Sequence, residues 1–165
     1  MILIEEAVNR LNTSGQRYGV SVQTWSRRSK YRRHFVEVEE LVAPLQIPVE
    51  LRSLWNTWDP SSLKRPCLDG LLPIDRIAER YQAGRPLSPA ILLPVADWDD
   101  VSVWVELATA THPGGRVFRA SETESFVDLW SFDVSGFLNL LASACLLYTS
   151  PSPRDQRGSR MPSSA

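Results

Sequence analysis

The hydrophobic patterning of this chain predicts an α+β fold: an antiparallel sheet of about four to six strands flanked by helices. Three observations carry that expectation. Segments of helical period are grouped ahead of residue 90. Short stretches of period two, joined by tight turns, run from Ile91 to Phe132, and one amphipathic segment closes the series.

Each element has its own signals. Residues 2–13 read as a helix, with Ile4, Ala7, Val8 and Leu11 on one face and Ser14-Gly15 as a stop. Tyr18, Val20 and Val22 alternate as in a short strand. A second helix is expected over 36–43, with Val38, Leu41 and Val42 inward. It ends before Pro44, because a residue preceding proline avoids the helical region. Pro48 fits the first position of the next helix, where its missing N–H is not needed, and Glu50 meets the helix dipole. Leu51, Leu54, Trp55 and Trp58 form its apolar stripe. Asp59-Pro60-Ser61-Ser62 breaks it, and a loop leads to the turn pair Asp69-Gly70. Leu71-Leu72 is a candidate strand. Pro73 then opens a helix with Ile74, Ile77, Ala78 and Tyr81 inward and Gly84 as its stop.

The strands follow a proline-bearing loop at 85–90. Ile91 to Val95 is nearly continuous hydrophobe, as in a central strand. Trp98-Asp99-Asp100 reverses the chain. Val101, Val103, Val105 and Leu107 then point one way, and Ser102, Trp104 and Glu106 the other. That predicts a half-buried strand with Trp104 partly covering its second face. His112-Pro113-Gly114-Gly115 is a turn, Arg116 to Arg119 a strand, and Phe126 to Phe132 an edge strand. Asp133 or Ser135 caps a last helix presenting Phe137, Leu138 and Leu141.

At 165 residues the chain can bury a sizeable single core. A net charge of −1 conceals a strong segregation: +5 over residues 1–35, −8 over 36–145 and +2 over the last twenty. This divides the chain into an N-terminal helix with a basic extension (1–35), an α+β domain (36–145) and a tail (146–165). The tail is rich in Ser, Pro and Arg and reads as disordered. It resembles the adapter-derived read-through found at the ends of metagenomic reading frames. No apolar run reaches the roughly 18–20 residues of a membrane span. The N-terminus MILIEEAVNR lacks the charge order of a secretion signal. Cys67 and Cys145 carry neither metal nor disulfide spacing. A cytoplasmic protein is expected.

The acidic group Asp97, Asp99, Asp100 and Glu106 comes nearest to catalytic chemistry, since paired carboxylates do acid–base work when their environments differ. Aspartates around a strand reversal are more often turn formers. His34 and His112 stand isolated, so no metal site is expected, and no cofactor motif occurs. Cys67 has no nearby histidine, and no Gly-x-Ser-x-Gly turn exists. The basic run Arg27, Arg28, Lys30, Arg32, Arg33, with Trp25 and Tyr31, has the composition of a single-strand grip but reads as a solvated loop. The acidic body that follows repels nucleic acid. A non-enzymatic binding protein is the expectation.

The order of elements carries a resemblance. A helix precedes Ile47-Pro48-Val49-Glu50-Leu51 and Trp55. Asp69-Gly70-Leu71-Leu72-Pro73-Ile74 enters another helix, Leu92-Leu93-Pro94-Val95-Ala96 opens the hairpins, and Ser131-Phe132-Asp133 enters the last helix. Over Val36 to Ser143 this resembles the SUKH superfamily of bacterial immunity proteins and fungal cell-wall-synthesis regulators. Where that pattern has Asn-Gly after the tryptophan helix, this chain has Asn56-Thr57-Trp58-Asp59. The resemblance implies a SUKH-like domain without catalytic residues. It also implies an immunity protein that neutralises a cognate polymorphic toxin, such as a nuclease, by occluding it. The alternative it leaves is a regulatory or scaffolding module without a toxin. An acidic, tryptophan-bearing surface suits a basic protein partner, and Trp98, Asp99, Asp100 and Glu106 are its expected contributors.

Overall fold

Alternating apolar residues along 101–107 demand a sheet with a buried face, and the chain builds one. The computed structural model describes residues 6–7, 9–10, 29–57, 70–83, 91–98, 101–121 and 127–149. Among these the elements run α1 (Ser29–Val42), α2 (Val49–Thr57), α3 (Ile74–Gln82), β1 (Leu92–Trp98), β2 (Val101–Glu106), β3 (Val117–Ser121), β4 (Val127–Ser131) and α4 (Val134–Thr149). The four strands form an antiparallel meander in the order β1-β2-β3-β4. This is the α+β arrangement expected.

A single core lies on one face of the sheet. Leu93, Val103, Val105, Leu107 and Val117 have no more than a trace of accessible surface there. The helices cover them with Val38 and Val42 of α1, Leu51 and Trp55 of α2, Ile77 of α3, and Phe137 and Leu138 of α4. Two bulges add side chains to this face. Val95 is the extra residue of β1 opposite β2, and Trp130 that of β4 opposite β3. Val95 is buried in the core, and Trp130 packs on Phe137, with ring centroids 5.3 Å apart.

Several expectations are corrected. β1 lies at the edge of the sheet rather than its centre. Pro94 explains this, because a residue without an N–H is confined to an edge or a bulge. The hydrophobic run is nonetheless buried because a short segment covers that edge. Leu72 N–H donates to Val95 O (2.9 Å), and Asp97 N–H to Gly70 O (2.8 Å). Leu71 thus forms an isolated bridge to Ala96 rather than a strand. Gly70 is required by this approach: a Cβ there would stand 2.5 Å from Asp97 O and 2.7 Å from the Trp98 ring. β2 is buried on both faces, since Ser102, Trp104 and Glu106 are as enclosed as the valines between them.

α1 starts at Ser29, seven residues before the expected start, so the basic run's Lys30, Arg32 and Arg33 are helical rather than loop. The expected division at residue 35 falls inside this helix. Ala7, in a helical stretch ahead of it, is fully buried in the same core, and Arg10 reaches Asn139 of α4. α1 carries basic residues early and glutamates late, against its own dipole. Burial of Val38 and Val42 and the Arg52–Glu39 pair (2.6 Å) hold it instead.

The other helix ends follow local rules. α1 stops at Val42, ahead of the cis Ala43–Pro44 bond. Pro48 and Pro73 sit one position before their helices, their carbonyls accepting the first turn's bonds. Asp133 is the N-cap of α4: its carboxylate accepts from Gly136 N–H. α4 continues through Thr149, four residues into the expected tail, and Ser150-Pro151 follows it. The strand expected near Tyr18, Arg27 and Arg28, Trp58, the 59–69 loop, Gly84 and residues 150–165 lie outside the described residues.

Asp133→Ala should cost about 1 kcal/mol, the usual value of a lost N-cap, read as a lower urea midpoint at unchanged slope. Gly70→Ala should cost about 1–3 kcal/mol by overpacking, because backbone and an indole ring are what its methyl would meet. A Gly70→Ala protein as stable as the parent would contradict the packing of Trp98 on Gly70.

Candidate functional site

The β1–β2 hairpin carries the residues the sequence nominates, and its pairing decides which can act together. Trp98 opposes Val101 at the turn end, and Leu92 opposes Glu106 at the other. Trp98 and Glu106 are therefore separated by roughly 17 Å of strand and lie on opposite faces. Asp97 opposes Ser102, which places it roughly 13 Å from Glu106 along β2. The structure does not bring Trp98 and Glu106 into one site, nor does it pair Asp97 with Glu106. Asp99 and Asp100 lie outside the described residues.

Trp98 is half-buried on the core face. Its ring meets Trp130 edge-on, with centroids 6.4 Å apart, and Trp130 in turn meets Phe137. This ring sequence ties β1 to β4 and α4, so Trp98 acts first as packing.

The outer face of the sheet holds two arginine–carboxylate pairs flanking an aromatic row. Across the strands, Pro94 faces Trp104, Trp104 faces Phe118, and Phe118 faces Leu129. At the turn end, Arg80 of α3 donates to Asp97 (2.7 Å), and Ser102 Oγ–H donates to the same carboxylate (2.6 Å). The Arg80 guanidinium lies 5.7 Å from the Trp104 ring centroid. At the other end, Arg116 grips Glu106 through two nitrogens, its Nε at 2.8 Å, and lies over Phe118. Both nominated carboxylates described here are committed to arginines.

Glu106 is held below the usual carboxylate range. The hydrogen bond from Arg116 is the main cause, with burial opposing it and the Arg116 and His112 charges assisting. His112 lies beside it, its Nδ1 accepting from Gly114 N–H at 3.0 Å. Gly114 and Gly115 take positive φ (67° and 97°), the conformation the turn demands.

Chemically, this arrangement fixes elements together. Asp97 as a base is engaged by a guanidinium and a hydroxyl, and Glu106 is enclosed. Sequence reasoning missed Arg80 and Arg116 because each meets its acid only through tertiary register. Among the described residues no group of three or more His, Cys, Asp or Glu is placed to hold a metal ion. Nor is any helix long and apolar enough to cross a membrane. Compared with known proteins, the chain matches no family model, no curated protein and no solved structure.

Because Glu106 binds its proton less tightly folded than unfolded, the pair's contribution is complete above about pH 4.3 and is lost as pH falls through the lower folded value. Glu106→Gln should lower the urea midpoint at pH 7 and shrink the difference between pH 7 and pH 3. Identical acid sensitivity in parent and variant would remove this role.

Proposed function

We propose that this chain is a non-catalytic, SUKH-like immunity protein that binds and neutralises a cognate polymorphic toxin in the cytoplasm. It acts by covering the toxin's basic working surface, such as that of a nuclease. One observation carries the reading: Phe132 and Val49, large apolar side chains, stand 80% and 78% exposed, while the nominated carboxylates Asp97 and Glu106 are bound into the scaffold. Large apolar side chains left in solvent are available as anchors for a protein partner.

Two further features support it. Residues 36–145 carry sixteen acidic and eight basic side chains, a net −8. A field of that sign speeds encounter with a cationic enzyme and selects against acidic partners. The order of elements resembles that of the SUKH superfamily, whose bacterial members include immunity proteins.

The test is co-expression. The C-terminal domain of a large secreted protein encoded just upstream should arrest a bacterial host, and this chain should restore growth and co-purify with that domain in a salt-sensitive complex. Persistent arrest, or turnover of a substrate by the purified chain alone, would exclude the reading.

A further inference from the structure

Three exposed apolar side chains belong to segments that backbone and side-chain bonds stitch together at one end of the sheet. Ile91 O accepts from Leu107 N–H (2.7 Å), and Ala108 next to it exchanges two backbone bonds with Gln46 (2.7 and 2.9 Å). Gln46 leads through Pro48, which abuts Gly115 of the β2–β3 turn, to Val49 at the start of α2. Glu50 then reaches across to α4, accepting from Val134 N–H (3.0 Å) and approaching Ser135 Oγ at 3.5 Å. Phe132 stands immediately ahead of the α4 cap. The segments that carry Ile91, Val49 and Phe132 are thus tied together at one end of the sheet.

Phe132 is the telling residue. Asp133 is the N-cap, so Phe132 occupies the position whose apolar side chain normally folds back onto the fourth helical residue. That residue is Phe137, but Phe137 is buried against Trp130 instead. The staple is not made, and Phe132 is left in solvent.

Charge identifies what fits. α1 ends four residues before Gln46, and its later half carries Glu37, Glu39 and Glu40 with no basic residue in the last turn. Glu39 pairs with Arg52 and Glu37 approaches His34. Glu40 is exposed and has no ion pair among the described residues. Glu40 adds to the negative end of the helix dipole, so the end of α1 is complementary to cations. On the other side, Arg116 and Glu106 neutralise each other.

Resting on the immunity reading above, we propose that this end of the sheet is the docking surface for a folded basic protein. Phe132 enters an apolar recess of that partner, Val49 and Ile91 pack around it, and partner lysines or arginines lie over the end of α1. This locates the interface away from the β1–β2 turn that the sequence nominates.

The experiment measures binding of the upstream-encoded toxin domain, as a catalytically silenced protein, to the full chain. Phe132→Asp should raise Kd by about tenfold or more, as loss of a central aromatic anchor does. Glu40→Lys should weaken binding and flatten its salt dependence. Leu129→Asp, at a partly exposed position on the outer sheet face, should leave Kd unchanged. Circular dichroism should match the parent for all three, and the thermal midpoint for Phe132→Asp and Glu40→Lys, whose side chains are the more exposed. Unchanged affinity in Phe132→Asp, or loss confined to Asp99→Asn/Asp100→Asn, overturns the surface while leaving the immunity reading intact. A parent chain that does not bind the toxin domain overturns both. A parent dimer that Phe132→Asp converts to monomer, seen by light scattering, assigns this surface to a second copy and overturns the proposal.

Discussion

Closure of one sheet face is the constraint on which the rest of this structure depends. Val103, Val105, Leu107 and Val117 leave no room for water on that side, and a four-stranded meander cannot bury them by itself. Helices must therefore come from both ends of the strand region. α1 to α3 precede it, and α4 follows. Besides core packing, one carboxylate joins the two groups: Glu50, which sits in the first turn of α2 yet accepts from Val134 at the start of α4. A single side chain thus satisfies an orphan donor of a helix 84 residues away and helps to place α4 on the sheet.

The outer face solves a different problem. β2 presents Ser102, Trp104 and Glu106 there, a set too polar to bury without partners and too large to leave loose. Arg80 comes from α3 to engage Asp97 and Ser102, and Arg116 comes from the residue before β3 to engage Glu106. Each guanidinium also covers an aromatic ring, so both the charge and the hydrocarbon of this face are provided for. Asp97 and Glu106, neighbours in a cluster that resembles a source of acid–base chemistry in one dimension, become two separate fasteners in three.

What was legible in the residues is what depends on neighbours in sequence. The alternation of Val103, Val105 and Leu107 places the core face, Pro44 ends α1, Asp133 caps α4, and Phe126 to Phe132 contains the edge strand. What was not legible depends on distant register. Glu50 reads as a residue serving its own helix dipole, and only the fold reveals its bond to α4. The apolar run from Leu92 reads as a central strand because burial by Gly70–Leu72 has no local signature, although Pro94 already argues for an edge. Lys30 to Arg33 read as loop because charge hides helical continuity when the apolar positions begin only at Phe35. The expected surface residues divide for the same reason. Trp98 and Glu106 are eight positions apart, but a hairpin places them at opposite ends and on opposite faces.

Most of the described chain obeys its local rules: a capped α4, a glycine where backbone meets backbone, and bulges that turn extra apolar residues inward. Two departures stand out. α1 opposes its own dipole, and Phe132 forgoes the staple its position offers. Either alone could be a tolerated imperfection, since each is worth no more than about 1 kcal/mol. Their placement is harder to dismiss. The end of α1 and the start of α4 are brought to the same side by the Gln46–Ala108 bridge and the Glu50 bond. Local preference is set aside at these two points of the described chain, and the docking proposal accounts for both together. On that proposal, a partner basic at its margin and hollow at its centre would meet Glu40 at the acidic end of α1 and the unstapled ring of Phe132.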